Sequence, residues 1–173
     1  MPEFILDVSG EVPRPDDYKG WGVERPLRWT DLDPFEQGYV EALFFTEEEA
    51  LAEQAREMGT VCDALGFSDL APDALLSIKQ DCAKFRDTGG AVGPQRPWSA
   101  VMVAIVDPRP HEVFPEDPER QAGHDFWLTR NGHGSGFWDG DWPEPHATTL
   151  THLSRSFGPS DVYLGDDGKL YVS

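Results

Sequence analysis

Basic residues are scarce in this chain: 14 Lys and Arg stand against 32 Asp and Glu, a formal net charge of −18 over 173 residues. That excess disfavours direct binding to nucleic acid or to an anionic membrane surface, because both require clustered cations. It suits a basic partner, or simply solubility. Long apolar runs are missing as well, so no membrane span is expected. Met1 to Asp7 carry neither a basic leader region nor an apolar core, so no secretory signal is expected and the protein is placed in the cytoplasm. Cysteine is limited to Cys62 and Cys82. Two thiols cannot build a framework of bridges, and both fall in helical patterns, which points to reduced, buried side chains.

Signatures of catalysis and metal binding are also lacking. All five histidines (His111, His124, His133, His146 and His152) lie in one region with Asp125, Asp139 and Asp141 among them. Imidazole and carboxylate are ligands for Zn²⁺ or Fe²⁺, but no His-x-x-x-His helix, cysteine pair or facial-triad spacing is present. No Ser or Cys nucleophile stands beside an obvious base, and the glycines do not have phosphate-loop spacing. Asp166-Asp167-Gly168 lacks the alternating oxygen ligands and terminal Glu of a Ca²⁺ loop and reads as a turn. No metal or cofactor is expected, and the balance leans away from an enzyme.

What the chain does have is aromatic side chains: 10 Phe, 6 Trp and 4 Tyr. Its length suits one domain, residues 1–173, with a substantial core. Phe4-Ile5-Leu6 reads as an edge strand, and Trp21 and Trp29 as anchors on the core. Residues 30–88 read as mainly helical. Asp33-Pro34 is a helix start, with Asp at N-cap and Pro at N1. Phe35, Tyr39 and Leu43 follow on one face. Thr46-Glu47-Glu48-Glu49 has the form of a capping box, so a second helix is expected from about Glu47 to Met58. A third begins at Pro72, with Leu75, Ile78, Cys82 and Phe85 as its apolar stripe, and ends at Thr88-Gly89-Gly90. Residues 89–122 read as a proline-rich connector holding one buried strand, Ser99 to Val106.

Residues 123–173 read as hairpin, helix, hairpin. Phe126-Trp127-Leu128-Thr129 favours a strand by its aromatic and β-branched content. Asn131-Gly132 allows a turn, Gly134 and Gly136 widen it, and Phe137-Trp138 resumes the extended pattern. This places Arg130, Asn131 and His133 at a glycine-rich tip, where a planar guanidinium and exposed backbone N–H groups suit a small anion. The alternative is a structural hairpin in which Arg130 pairs with Asp125 or Asp139. Leu150, Leu153 and Phe157 give a short helix ended by Gly158-Pro159. Asp161 to Leu164 and Lys169 to Val172 flank a turn centred on Asp167-Gly168. The fold class is therefore α+β: an N-terminal helical half packed on a small antiparallel sheet built mainly from C-terminal hairpins.

Three segments, Gly123 to Asp139, Leu164 to Tyr171 and Phe35 to Leu43, resemble a family of small, acidic, largely uncharacterised proteins of tailed phages and prophages. They cover roughly a fifth of the chain. The resemblance implies a phage-type accessory role and assigns no activity to any residue.

From Asp31 to Asp63 there are ten acids and a single base, Arg56. Carboxylates three and four apart on a helix stand about 5–6 Å apart at Cβ. Phosphates along a DNA strand rise by about 3.4 Å each. Glu36, Glu41, Glu47, Glu48, Glu49, Glu53 and Glu57 are thus candidates for a DNA-like row that docks a basic host protein, such as a defence factor that handles nucleic acid. Three readings stay open on sequence: this acidic binding protein, a small enzyme or ligand-binding domain using Arg130, Asn131 and His133, and a structural module.

Overall fold

Asp33 and Pro34 start the first helix as their chemistry dictates. In the computed structural model, which describes residues 7–15, 25–59, 65–88 and 117–173, helix α1 spans Pro34–Glu57. The Asp33 carboxylate accepts from the Glu36 amide at 2.9 Å, and Glu36 accepts from the Asp33 amide at 3.1 Å, closing a capping box. The expected second helix start at Thr46 does not exist, because α1 runs straight through it. Thr46 Oγ1 donates back to the Ala42 carbonyl at 3.0 Å and itself accepts from Trp127 Nε1 at 2.8 Å, so it bonds within and across the helix instead of capping a new one. No Gly or Pro falls between Leu43 and Glu57 to interrupt the helix.

Helix α2, Pro72–Thr88, buries Leu75, Ile78, Cys82 and Phe85, the stripe expected from spacing. Helix α3, Pro118–Arg130, replaces the expected central strand and hairpin. It has the same Asp-Pro start as α1, since Asp117 accepts from the Arg120 amide and Pro118 opens the helix. Its last nine residues are buried except His124. A helix enclosed on nearly every side shows no amphipathic period, so its aromatic and β-branched content reads as strand. Gly132 follows at φ 73° and ends it.

Helix α4, His146–Ser156, begins four residues before the expected Leu150 and turns Ala147, Leu150, Thr151 and Ser154 inward. The C-terminal hairpin forms as expected: β3 (Val162–Leu164) pairs antiparallel with β4 (Leu170–Val172), Tyr163 opposite Tyr171. Gly168 takes φ 76° in its turn, a conformation that favours glycine. A second two-stranded sheet pairs β1 (Glu11–Val12) with β2 (Leu27–Arg28).

The fold is a mixed α+β one. Instead of one sheet supporting the helices, two small ribbons among the described residues flank a helical centre. The expected strands at Phe4 to Leu6 and Ser99 to Val106, along with Trp21, Cys62 and His111, lie outside the described residues.

The core is aromatic. Phe85 and Phe126 approach at 4.2 Å between ring centroids, Phe35 packs on both, and Tyr39 meets Trp127 edge-on at 5.2 Å. Burial of such side chains contributes about 1.5–3 kcal/mol each. Trp29, half-buried, meets the Phe67 ring edge-on. The α1–α3 crossing is close because Gly38 faces the Arg120 carbonyl and Gly123 faces the Phe35 carbonyl, where a Cβ at either position would overlap backbone.

Candidate functional site

The seven glutamates of α1 divide into two groups. Glu36 is buried: Lys79 Nζ lies 2.7 Å from Oε2 and Arg86 lies 3.7 Å from Oε1. Glu41 takes both arms of the Arg120 guanidinium, one at 2.8 Å. Glu47, half-buried, has Oε1 3.9 Å from His133 Nε2. Glu36 and Glu41 do not belong to the solvent-facing row that the sequence suggests, because their charge is met by residues of α2 and α3, and Glu47 is set apart from it by its partial burial. Glu48, Glu49, Glu53 and Glu57 are exposed. Glu49, Glu53 and Glu57 repeat every four residues, so they form one stripe on the side away from buried Leu51 and Ala55, while Glu48 lies on the flank nearer Ala55. Arg56 is the one base in these turns.

The residues assigned to a ligand-binding tip separate into structural roles. Arg130 is 8% exposed. Its Nη1 donates to Asp81 at 2.7 Å and to the Tyr39 hydroxyl at 2.9 Å, and its Nε donates to the Gly158 carbonyl at 2.9 Å. Phe126 and Phe157 lie beneath the guanidinium at 5.4 and 5.7 Å. Burial holds the Tyr39 phenol protonated, far above its ordinary pKa, against the pull of Arg130. Neither Asp125 nor Asp139, the partners expected from sequence, forms an ion pair with Arg130; Asp81 does. Asn131 ends α3, donating to the Trp127 carbonyl at 3.1 Å and accepting from the Ser160 amide at 2.7 Å. The His133 amide donates to the Leu128 carbonyl at 3.0 Å, and its ring turns toward Glu47. The tip is a helix end, and its three polar side chains do not converge. Among the described residues, no group of three or more His, Cys, Asp or Glu is placed to hold a metal ion.

Sequence reasoning missed a polar centre at Asp125. This carboxylate is 1% exposed, accepts from Gln121 Nε2 at 2.8 Å and from Trp142 Nε1 at 2.6 Å, and lies 4.0 Å from His124 Nδ1. Burial pushes its pKa up to about 7, against the two hydrogen bonds, and Asp139 and Asp141 add to the rise. Burial lowers the His124 pKa, against the pull of Glu41. Gln121 and Asp125 are four apart on α3, which is the signal once that segment is taken as a helix. Trp142, 17 residues on, gives no such signal.

A groove of about 690 Å³ lies between the start of α1 and α2, with Leu76, Lys79, Ala83, Lys84 and Arg86 in its walls. Its cations are already engaged: Lys79 by Glu36, Arg86 by Asp33, and Lys84 over the Phe157 ring. Compared with protein-family models, with curated proteins and with solved structures, the chain matches none.

Proposed function

We propose that this protein is a non-enzymatic, phage-type accessory protein that docks a basic host protein in the cytoplasm through the outer edge of α1. The observation that carries this reading is the exposed run Glu48, Glu49, Glu53 and Glu57 with Arg56 as its one base. The net charge of −18 would steer a cationic partner toward that edge. A protein that handles nucleic acid fits best, because its binding surface is already built for spaced negative charge. The resemblance to phage proteins supports the same class of partner. A ligand site at Arg130, Asn131 and His133 is not favoured, since the Arg130 and Asn131 side chains bond to the protein itself and the His133 ring turns away toward Glu47.

The test is a binding series with the partner recovered from host extract. Affinity should fall at least tenfold between 50 and 200 mM salt, on the order expected for several phosphate-like contacts. Changing all four exposed glutamates to glutamine should weaken binding by about 10- to 100-fold, mainly through slower association. The four sites are exposed, so stability should move by less than about 0.5 kcal/mol per site. Binding that ignores salt, or a quadruple variant that binds like the wild type, would remove the proposal.

A further inference from the structure

We propose that Asp125 is a proton-controlled latch: a proton on its carboxyl group holds the glycine-rich loop of residues 132–141 docked against α3 through Trp142, and loss of that proton loosens the loop. Two buried side chains hold this loop. Phe137 stacks on Phe85, and its amide donates to Thr129 Oγ1 at 3.1 Å. Trp142 is 2% exposed, and its indole N–H is bonded to Asp125. Between these anchors Trp138, Asp139, Gly140 and Asp141 stand exposed. The indole bond ties the far end of the loop to the helix that precedes it.

Among the described residues, the groups around Asp125 leave its negative charge without a cation. From its own helix come Gln121, which is neutral, and His124, whose burial works against its protonation. The loop brings Asp139 and Asp141, both of the same sign. From α1, Glu41 acts on His124, and it is itself held by Arg120. Helix α4 turns Ala147, Leu150, Thr151 and Ser154 inward, none of them charged. An ionised carboxylate here has given up water for two N–H bonds and faces two like charges. The neutral acid loses little: one oxygen still accepts from Trp142, and the Gln121 amide can turn so that its oxygen accepts the new O–H.

The direction follows from linkage. In the docked loop Asp125 titrates at about 7, against an ordinary value of 3.8. A group whose pKa is raised by docking favours the docked loop fully below its ordinary value, and that contribution is lost as pH rises through the docked value. Opening of the loop should therefore grow by up to about tenfold per pH unit from about 4 to 7 and level off above.

Native-state hydrogen exchange on the whole chain, corrected for intrinsic rates, reads this directly. The amides of Gly136, Phe137 and Asp139 and the Trp142 indole N–H should open at least about tenfold more at pH 7.5 than at pH 5.5. The amides of Val40 and Leu43 in α1 should not follow. In Asp125→Asn the loop should show no pH dependence. If that variant does not fold, the exposed pair Asp139→Asn and Asp141→Asn decides, because removing two like charges should shift the transition to lower pH. A loop whose opening is flat in the wild type would overturn the latch. So would a slope that persists in Asp125→Asn, or a midpoint indifferent to Asp139 and Asp141.

Discussion

Gly123→Ala should destabilise the protein by about 3 kcal/mol or more, and Gly38→Ala by a similar amount, at the upper end of overpacking effects. On an ordinary helix the same change stabilises by nearly 1 kcal/mol, because glycine is the poorer helix former. The sign reverses here because of what a methyl group would meet. At residue 123 it would overlap the Phe35 carbonyl, and at residue 38 the Arg120 carbonyl. Each glycine faces the carbonyl three residues before the other, so the contact is reciprocal. Both obstacles are helix backbone, which cannot rotate aside as a side chain does. The helices would have to separate, and the packing of Phe35, Tyr39, Phe126 and Trp127 would loosen with them. Gly134→Ala is the control: nothing lies within 4 Å of a Cβ there and its φ is not in the left-handed region, so the cost should stay under about 0.5 kcal/mol. Urea unfolding followed by tryptophan fluorescence separates the cases. A Gly123 or Gly38 variant within 1 kcal/mol of wild type would show that the crossing is less constrained than its geometry implies.

Sequence was informative where a signal is local and uninformative where the partner is distant. The Asp33-Pro34 start, the Leu75 to Phe85 stripe and the turn at Gly168 each depend on residues within a few positions, and all three appear in the fold. The Gly123 to Asp139 segment misled because its helix is enclosed: strand-like composition outweighed an Asp117-Pro118 start that uses the same chemistry as Asp33-Pro34. Thr46 misled because a capping box and a mid-helix Thr followed by Glu have the same letters. The hydroxyl's return bond to Ala42 distinguishes them, and only coordinates show it. Helical period does place Glu49, Glu53 and Glu57 on one stripe. It cannot show that Glu36 and Glu41 are neutralised, since Lys79 and Arg120 come from 43 and 79 residues away. The Asp125 centre was hidden in the same way, because Trp142 reaches it from beyond the loop.

The second large effect should come from the ion pair that replaced the expected tip. Asp81→Ala should cost about 3–5 kcal/mol, and Arg130→Met less, about 1–3 kcal/mol. The order follows from unequal burial. The Arg130 side chain is 5% exposed and that of Asp81 33%. Removing Asp81 leaves a cation enclosed between α3 and the core, with, among the described residues, only the Tyr39 hydroxyl, the Gly158 carbonyl and two aromatic faces to stabilise it. Removing Arg130 leaves a carboxylate that can take up water, while methionine fills most of the vacated volume. The Tyr39 hydroxyl and Gly158 carbonyl lose a donor, which sets the lower figure. Arg130→Lys should not restore wild-type stability, because one ammonium cannot reach Asp81, Tyr39 and Gly158 in the planar geometry that the guanidinium supplies. Denaturant unfolding of the three variants at pH 7 gives the order. If Arg130→Met is the more damaging change, the dominant role of Arg130 is as a hydrogen-bond donor to Tyr39 and Gly158, and the charge on Asp81 matters less than its position suggests.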